Sequence, residues 1–276
     1  MRWYRDLDFI QKAEEVILQR LYPFIKDRKL LDIGIGGGRT TKYLLETSRN
    51  YTGIDYTLRL ADIVRRKYPQ AAIFCADARA LNLRDDVFDF VLFSLNGLDY
   101  IDHEGRLKAL REIYRVLRPG GFYLFSTHNR DYKGFRKVFW PDDARFSLGH
   151  LKSWLYTLVH WPRHLMMRKH EFSTNEYAIV NDSAHGFSLF TYYIGAGEQK
   201  KQLEREGFVQ IETYDMDGVR VNSDTNFPWT YYLARKHAPG NREVEVPVNH
   251  LAIAEADAPA PLRRSCSQKL QTKATL

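Results

Sequence analysis

The stretch Leu30-Leu31-Asp32-Ile33-Gly34-Ile35-Gly36-Gly37-Gly38-Arg39-Thr40-Thr41 decides how this chain folds. It starts as a short apolar strand with an acid near its end. It then turns through four glycines within five positions and can open into a helix near Thr40. Glycine is needed where a backbone adopts positive φ or lets a ligand approach closely. A strand, a glycine turn and a helix N-terminus in series predict a ligand-binding turn of an α/β protein.

Two kinds of ligand are compatible with such a glycine turn. The dinucleotide fingerprint G-x-G-x-x-G rests a pyrophosphate on the amides of a helix N-terminus. Gly34 and Gly36 match its first two glycines, but Arg39 occupies the third position. Asp32 would repel a pyrophosphate, because like charges repel. A carboxylate there suits a cationic ligand, such as the ammonium group of an amino acid.

Acidic residues also end the next two predicted strands. Asp55 lies about 20 residues beyond the glycine turn, the distance at which an acid reaches ribose hydroxyls, and Tyr56 beside it offers an aromatic face to adenine. Asp77 could accept a hydrogen bond from the adenine amino group, while Ala78 leaves space for the ring. A turn or helix cap is the alternative role for Asp55 and for Asp77. With Asp32, these acids at successive strand ends predict a nucleoside site.

The rest of the first half continues the alternation of strands and helices. Apolar spacings of three and four predict a leading helix over 6–26. The apolar run 88–94 predicts a strand buried on both faces. A helix over 107–117 ends at a Pro-Gly-Gly turn, and the strand 122–126 follows. Asp102 is best explained as the cap of that helix, so no metal site is expected.

The order and spacing of these elements over 30–129 resemble the class I S-adenosylmethionine-dependent methyltransferases. The D-x-G-x-G pattern at Asp32 and the L-R-P-G-G turn at 117–121 are part of that resemblance. It implies an α/β, Rossmann-like, doubly wound fold with a mostly parallel seven-stranded sheet, the last strand antiparallel, plus an α/β lid insertion after strand 5. It also implies S-adenosylmethionine as the cofactor, bound by Asp32, Gly34, Gly36, Asp55, Tyr56, Asp77, Ala78, Ser94 and Asn96.

The insertion over 129–194 is rich in aromatic and basic residues. Leucines mark one face of a predicted helix that begins at 148 and that Pro162 ends. This helix could be a lid that binds the acceptor, or it could make weak contact with a membrane surface through 148–161. Two strands, 176–181 and 187–194, are predicted to follow, joined by a turn at 182–186.

Methyl transfer from a sulfonium needs alignment of the acceptor and, for some nucleophiles, removal of a proton. His128, after the fifth strand, and His185, in the inserted turn, are the candidate catalytic bases, with Tyr100 as a positioning group. A structural histidine is the alternative for each.

Composition sets the remaining expectations. The 276 residues, of which 44% are hydrophobic, suit one globular domain over 1–237, and the proline- and alanine-rich segment 238–276 reads as a disordered tail. The net charge of +7 mildly favours anionic partners, but nucleic acid is not expected as a partner. Two cysteines and the lack of an export signal or membrane span indicate a cytoplasmic protein. The oligomeric state is open.

Three functions follow for testing. The first is a methyltransferase acting on an oxygen or nitrogen nucleophile of a small-molecule, glycan or lipid-linked acceptor. The second is an NAD-dependent oxidoreductase, which Asp32 and Arg39 disfavour. The third is a non-catalytic nucleoside- or RNA-binding protein, which the complete set of acids and glycines disfavours.

Overall fold

A parallel sheet carries the glycine turn at the carboxyl ends of its strands. A computed structural model describes residues 9–136, 148–183, 186–222 and 226–239. The described helices are α1 (Lys12–Ile25), α2 (Thr41–Thr47), α3 (Leu58–Lys67), α4 (His103–Val116), α5 (Leu148–Met167) and α6 (Ala196–Arg205). The described strands are β1 (Leu30–Ile33), β2 (Tyr51–Asp55), β3 (Ala72–Cys75), β4 (Phe88–Phe93), β5 (Leu117–Asn129), β6 (Phe172–Ser173), β7 (Tyr177–Val180), β8 (Thr191–Ile194), β9 (Phe208–Tyr214), β10 (Arg220–Val221) and β11 (Trp229–Lys236).

Seven of these strands form the predicted sheet, in the order β3-β2-β1-β4-β5-β11-β9. The strand β1 pairs in parallel with both β2 and β4, so it lies at the point where the strand order reverses. In open α/β sheets ligands bind at that point, outside the carboxyl ends of the strands. The last strand, β11, is antiparallel to β5 and β9. The predicted fold class is confirmed.

Both faces of the sheet are buried, and the alternation of side chains explains why. Leu30 and Leu92 belong to the core under α1 and α3, whereas Leu31 and Val91 belong to the core under α4 and α6. Because side chains alternate along a strand, a strand covered on both faces must be apolar throughout. This is why 88–94 reads as a near-continuous apolar run.

The insertion after β5 differs in two places from its prediction. The helix α5 continues through Pro162 to Met167 instead of ending there. Proline's fixed φ is helical, so the ring can be accommodated in a helix at the loss of one backbone hydrogen bond. The strand β8 begins at Thr191, later than predicted, and pairs with β5 and β7. The role of this insertion as a lid stays a prediction, and the tail beyond 239 lies outside the described residues.

Candidate active site

A cleft of about 660 Å³, measured with its open mouth, lies at the carboxyl edge of the sheet. The glycine turn after β1 forms one wall, the end of β2 forms the floor, and the segment after β4 forms the opposite wall. The lining residues are Gly34, Ile35, Gly36, Gly37, Arg39, Thr40, Asp55, Leu60, Ser94, Leu95, Gly97 and Tyr100. Of the three acids from which the sequence predicted a nucleoside site, Asp55 lines this cleft, whereas Asp32 and Asp77 do not.

Glycine is required at Gly34 for two reasons. Its φ is +68°, and a Cβ atom there would lie 2.9 Å from Cε2 of Phe93. A side chain would therefore be strained and would also clash with a ring of the core. Gly34 keeps the turn tight against the sheet.

Four backbone amides of the turn donate to oxygens of the protein itself. Their bonds are Gly34 to the Ile54 carbonyl (2.8 Å), Ile35 to the same carbonyl (3.1 Å), Gly36 to Asp55 Oδ2 (2.9 Å) and Gly38 to the Ile35 carbonyl (2.8 Å). A dinucleotide turn needs such amides for the pyrophosphate. Because these four are already engaged, the turn is poorly suited to a pyrophosphate.

Asp32 lies beneath the turn and is fully buried. Its Oδ2 accepts hydrogen bonds from the hydroxyls of Thr40 (2.6 Å) and Tyr51 (3.0 Å). Its Oδ1 is buried and has no hydrogen-bond partner within the described ranges. Burial raises the pKa of the Asp32 carboxyl to about 7, and the two hydroxyls act in the opposite direction. Thr40, and not Asp32, is among the residues that line the cleft, so direct contact between Asp32 and a ligand stays a prediction.

The raised pKa of Asp32 predicts a pH dependence of stability. The carboxyl binds a proton more tightly when folded than when unfolded, where its pKa is about 4. Its contribution to the free energy of unfolding should therefore fall as the pH rises from about 4 to about 7, and stay level above that. The difference in unfolding free energy between the wild type and Asp32→Asn, measured with urea, should decrease over this range. Parallel pH profiles for the two proteins would contradict the assignment.

Asp55 stands at the end of β2, on the floor of the cleft. Its Oδ2 accepts the Gly36 N–H (2.9 Å) and its Oδ1 accepts the Thr57 N–H (2.7 Å). Burial raises the pKa of Asp55, and these two N–H groups partly offset the effect. The carboxylate is held in place and keeps lone pairs for ribose hydroxyls. Tyr56 beside it is 73% exposed, so its ring is free to cover an adenine.

Asp77 and Ala78 follow β3 and do not line this cleft. Asp77 pairs with Arg79 at 2.7 Å, and the hydrogen bond from Arg79 lowers the pKa of Asp77. Ala78 is buried in the core below α4. A contact of either residue with adenine stays a prediction.

A buried ion pair supports the cleft from the side of α1. Arg39, at the third glycine position of the dinucleotide pattern, makes two hydrogen bonds to Glu14, at 2.6 and 2.8 Å. Both side chains are almost completely buried, and Ser94 Oγ hydrogen-bonds to both. Sequence reasoning missed Glu14; an acid on the inward face of an amphipathic helix was the available signal. The predicted cofactor residue Ser94 therefore lines the cleft as part of this ion-pair cluster.

Beside the opposite wall, His128 is oriented by a buried acid. Asp99 Oδ2 accepts both the backbone N–H of His128 and its ring Nδ1–H, each at 2.7 Å. The other ring nitrogen, Nε2, therefore carries the lone pair. The side-chain amide of Asn96 lies 3.4 Å from Nε2, and Asn96 sits between the cleft residues Leu95 and Gly97. With Nδ1–H donated to Asp99, a neutral His128 has Nε2 available as an acceptor, so a role as general base stays a prediction.

Asp99 is in turn balanced by a fully buried arginine. Arg106 donates to Asp99 Oδ1 (2.6 Å) and to Gln199 Oε1 (2.6 Å), and its guanidinium lies over the Tyr192 ring. Buried charges are tolerated when they are paired and hydrogen-bonded. Arg106 thereby pairs with Asp99 and helps to hold it against His128.

The remaining candidates are placed as follows. Tyr100 lines the cleft and is partly exposed. Asp102 caps α4, as predicted, by accepting the Gly105 N–H at 2.8 Å. His185 lies outside the described residues. Within 9–136, 148–183, 186–222 and 226–239, no cluster of three or more histidine, cysteine or acidic side chains could hold a metal ion.

A glycine-turn cleft at the strand-order reversal of a sheet with an antiparallel last strand is typical of a class I methyltransferase domain. Comparison with known proteins supports this class: residues 31–125 match the family described as a methyltransferase domain. Over that segment the chain is similar to the class I S-adenosylmethionine-dependent methyltransferases.

Two relatives and one solved structure illustrate the similarity. A probable S-adenosylmethionine-dependent methyltransferase of Mycolicibacterium smegmatis is 32% identical over 120 residues, 43% of this chain and 45% of the relative. A malonyl-[acyl-carrier protein] O-methyltransferase of Halorhodospira halophila is 36% identical over 131 residues, 45% of this chain and 43% of the relative. The fold matches that of an S-adenosylmethionine-dependent methyltransferase from Clostridium acetobutylicum with a TM-score of 0.58, at 15% identity, covering 86% of this chain and 97% of that one. The match thus spans less than half the length of either sequence relative.

The residues present fit the cofactor of this family. The buried Oδ1 of Asp32 has no hydrogen-bond partner within the described ranges, and its carboxyl lies below a turn whose amides already donate to protein oxygens. This environment favours a cationic amino-acid group over a pyrophosphate. Asp55, with its fixed orientation, suits the ribose of the nucleoside part.

Proposed function

We propose that this protein is an S-adenosylmethionine-dependent methyltransferase that acts on an oxygen or nitrogen nucleophile of a small-molecule, glycan or lipid-linked acceptor. The observation that carries the proposal is the composition of the cleft. A pyrophosphate site offers free backbone amides, whereas here four amides of the turn already donate to protein oxygens, and the acids Asp32 and Asp55 lie beside the turn. The nucleoside is assigned to Asp55 and Tyr56, and the amino-acid part to the turn above Asp32.

The chain's own residues then have separate tasks. Bound S-adenosylmethionine supplies a methyl group that is already activated by a sulfonium. The protein must therefore exclude water and align the acceptor. His128 is placed to take the proton of an acceptor hydroxyl or ammonium on Nε2, while Asp99 holds its ring and stabilises the imidazolium that forms. Asn96, at 3.4 Å from Nε2, marks the direction from which the acceptor would approach.

The alternative of an NAD-dependent oxidoreductase receives no support from the site. The third glycine is replaced by Arg39, whose guanidinium is bound to Glu14 and is not available to a phosphate. The alternative of a non-catalytic nucleoside- or RNA-binding protein does not explain an oriented Asp99 and His128 pair beside the cleft.

Calorimetry with the purified chain tests the cofactor. S-adenosylmethionine and S-adenosylhomocysteine should bind and NAD should not. Asp55→Ala should weaken binding by about ten- to a hundredfold, because hydrogen bonds to a charged group are worth about 1.5–3 kcal/mol each. Asp62→Ala, on the outer part of α3, is the matched control and should leave the affinity unchanged.

The same experiment decides the predicted role of Asp77. If Asp77 contacts adenine, Asp77→Ala will weaken binding as well; if its partner is only Arg79, the affinity will stay at the wild-type value. A preference for NAD would contradict the assignment of S-adenosylmethionine as the cofactor. Equal effects of the Asp55 and Asp62 variants would contradict the assignment of Asp55 to the ribose.

A further inference from the structure

The outward face of α5 is apolar over its described side chains. Its exposed apolar residues are Leu155, Leu158, Val159, Pro162, Leu165 and Met166, which we call the α5 apolar face. At about 100° per residue these positions fall within an arc of about 120°. Val159 is 73% exposed and Met166 is 71% exposed, so large apolar side chains of this face are open to solvent.

The opposite side of the helix is fixed to the insertion. Thr157 and His164 are buried. His164 Nδ1 lies 3.1 Å from Asn181 Oδ1, and its ring packs on Phe187. Arg163 donates to the Gly186 carbonyl at 3.2 Å. These contacts fix the rotation of α5 about its own axis. The apolar face therefore points outward in the folded protein.

The charged residues of α5 and of the turn that follows it have a single sign. From 148 to 170 the sequence contains no Asp or Glu, but it contains Lys152, Arg163, Arg168 and Lys169. Arg168 and Lys169 are exposed in the turn that follows Met167. An apolar stripe on a helix whose own charged residues are all basic is the pattern of a helix that lies in the surface of an anionic bilayer. A second copy of this chain would bring like charges together, so it fits the face less well.

We propose that the α5 apolar face docks on an anionic lipid surface, with Arg168 and Lys169 on the headgroups. The inference does not depend on methyl transfer. In the part of the chain that the structure describes, no helix combines the length and apolar character needed to cross a membrane. The helix lies along the surface, and the hairpin β7–β8 connects it to β5, the strand that carries His128.

Flotation of the full chain with vesicles tests the proposal. The protein should float with phosphatidylcholine vesicles that contain about 30 mol% phosphatidylglycerol, should float less with phosphatidylcholine alone, and should be released by salt. Val159→Glu/Met166→Glu should lower binding by at least about tenfold. Arg168→Gln/Lys169→Gln should lower it by about fivefold for each charge and should reduce the salt dependence.

Matched variants on other surfaces act as controls. Val219→Glu, at an exposed valine outside α5, and Arg66→Gln/Lys108→Gln, at exposed positions on α3 and α4, should bind vesicles as the wild type does. Circular dichroism and the unfolding midpoint verify that each variant is folded. Binding of S-adenosylmethionine is measured in parallel and should be unaffected by the α5 substitutions, so failure of lipid docking and failure of the proposed function are separate results.

Three results would overturn the proposal. The wild type could fail to float with anionic vesicles, or the α5 variants could float as well as the controls. The chain could also run as a dimer in size-exclusion chromatography that Val159→Glu/Met166→Glu converts to a monomer, which would assign the face to a second copy.

Discussion

Replacing His128 with alanine is expected to lower the rate of methyl transfer by about 10²- to 10⁴-fold, the usual contribution of a positioned general base. The fold and the affinity for S-adenosylmethionine should not change, because His128 is outside the lining of the cleft. Asp99→Asn should also lower the rate, since an amide no longer favours the tautomer with a proton on Nδ1. The measurement is transfer of a labelled methyl group to an acceptor identified in a metabolite screen.

The histidine substitution needs a matched control, and the chain offers one. His170 is exposed beyond the end of α5, and His170→Ala should retain the wild-type rate. ¹⁵N spectra of the histidine rings should show the Nδ1–H tautomer for His128 in the wild type. A His128→Ala rate within about twofold of the wild type would assign this histidine a structural role instead.

Replacing Glu14 with glutamine is expected to lower the free energy of unfolding by about 3–5 kcal/mol, because it leaves the buried Arg39 without its charge partner. The loss should be visible as a lower urea midpoint. It should be accompanied by weaker binding of S-adenosylmethionine, since Arg39 and Ser94 both line the cleft.

Two comparisons separate the ion pair from other effects of the substitution. Glu15→Gln, at the next and less buried position of α1, should change stability by less than about 0.5 kcal/mol. Glu14→Met/Arg39→Met removes both charges and should recover much of the lost stability. If this double variant is less stable than Glu14→Gln, the ion pair is not the source of the effect.

Much of the frame of the site could be predicted because its signals are local. Gly34 requires positive φ within a turn of a few residues, and Asp55 follows its own strand directly. The cap at Asp102 satisfies an amide three residues away. Such features depend on backbone conformation and on the alternation of side chains. Both are specified by residues that are close together in the sequence.

The partners of these residues could not be predicted in the same way. Arg39 reaches Glu14 across 25 positions, and Asp99 reaches His128 across 29. Neither separation along the chain corresponds to the repeat of a helix or a strand, so no sequence pattern reveals these pairs. Asp77 follows β3 as predicted. Its side chain pairs with Arg79 and does not line the cleft.

The sequence by itself therefore determined the class of fold, the glycine turn and the acids at the strand ends, because short-range backbone requirements specify them. Only the tertiary structure decided which acid is buried under the turn, which one is on the cleft floor and which histidine is hydrogen-bonded to a buried acid. It also decided that α5 continues through Pro162 and turns its apolar face outward. Burial and long-range pairing set these properties, and they exist only once distant segments have packed together.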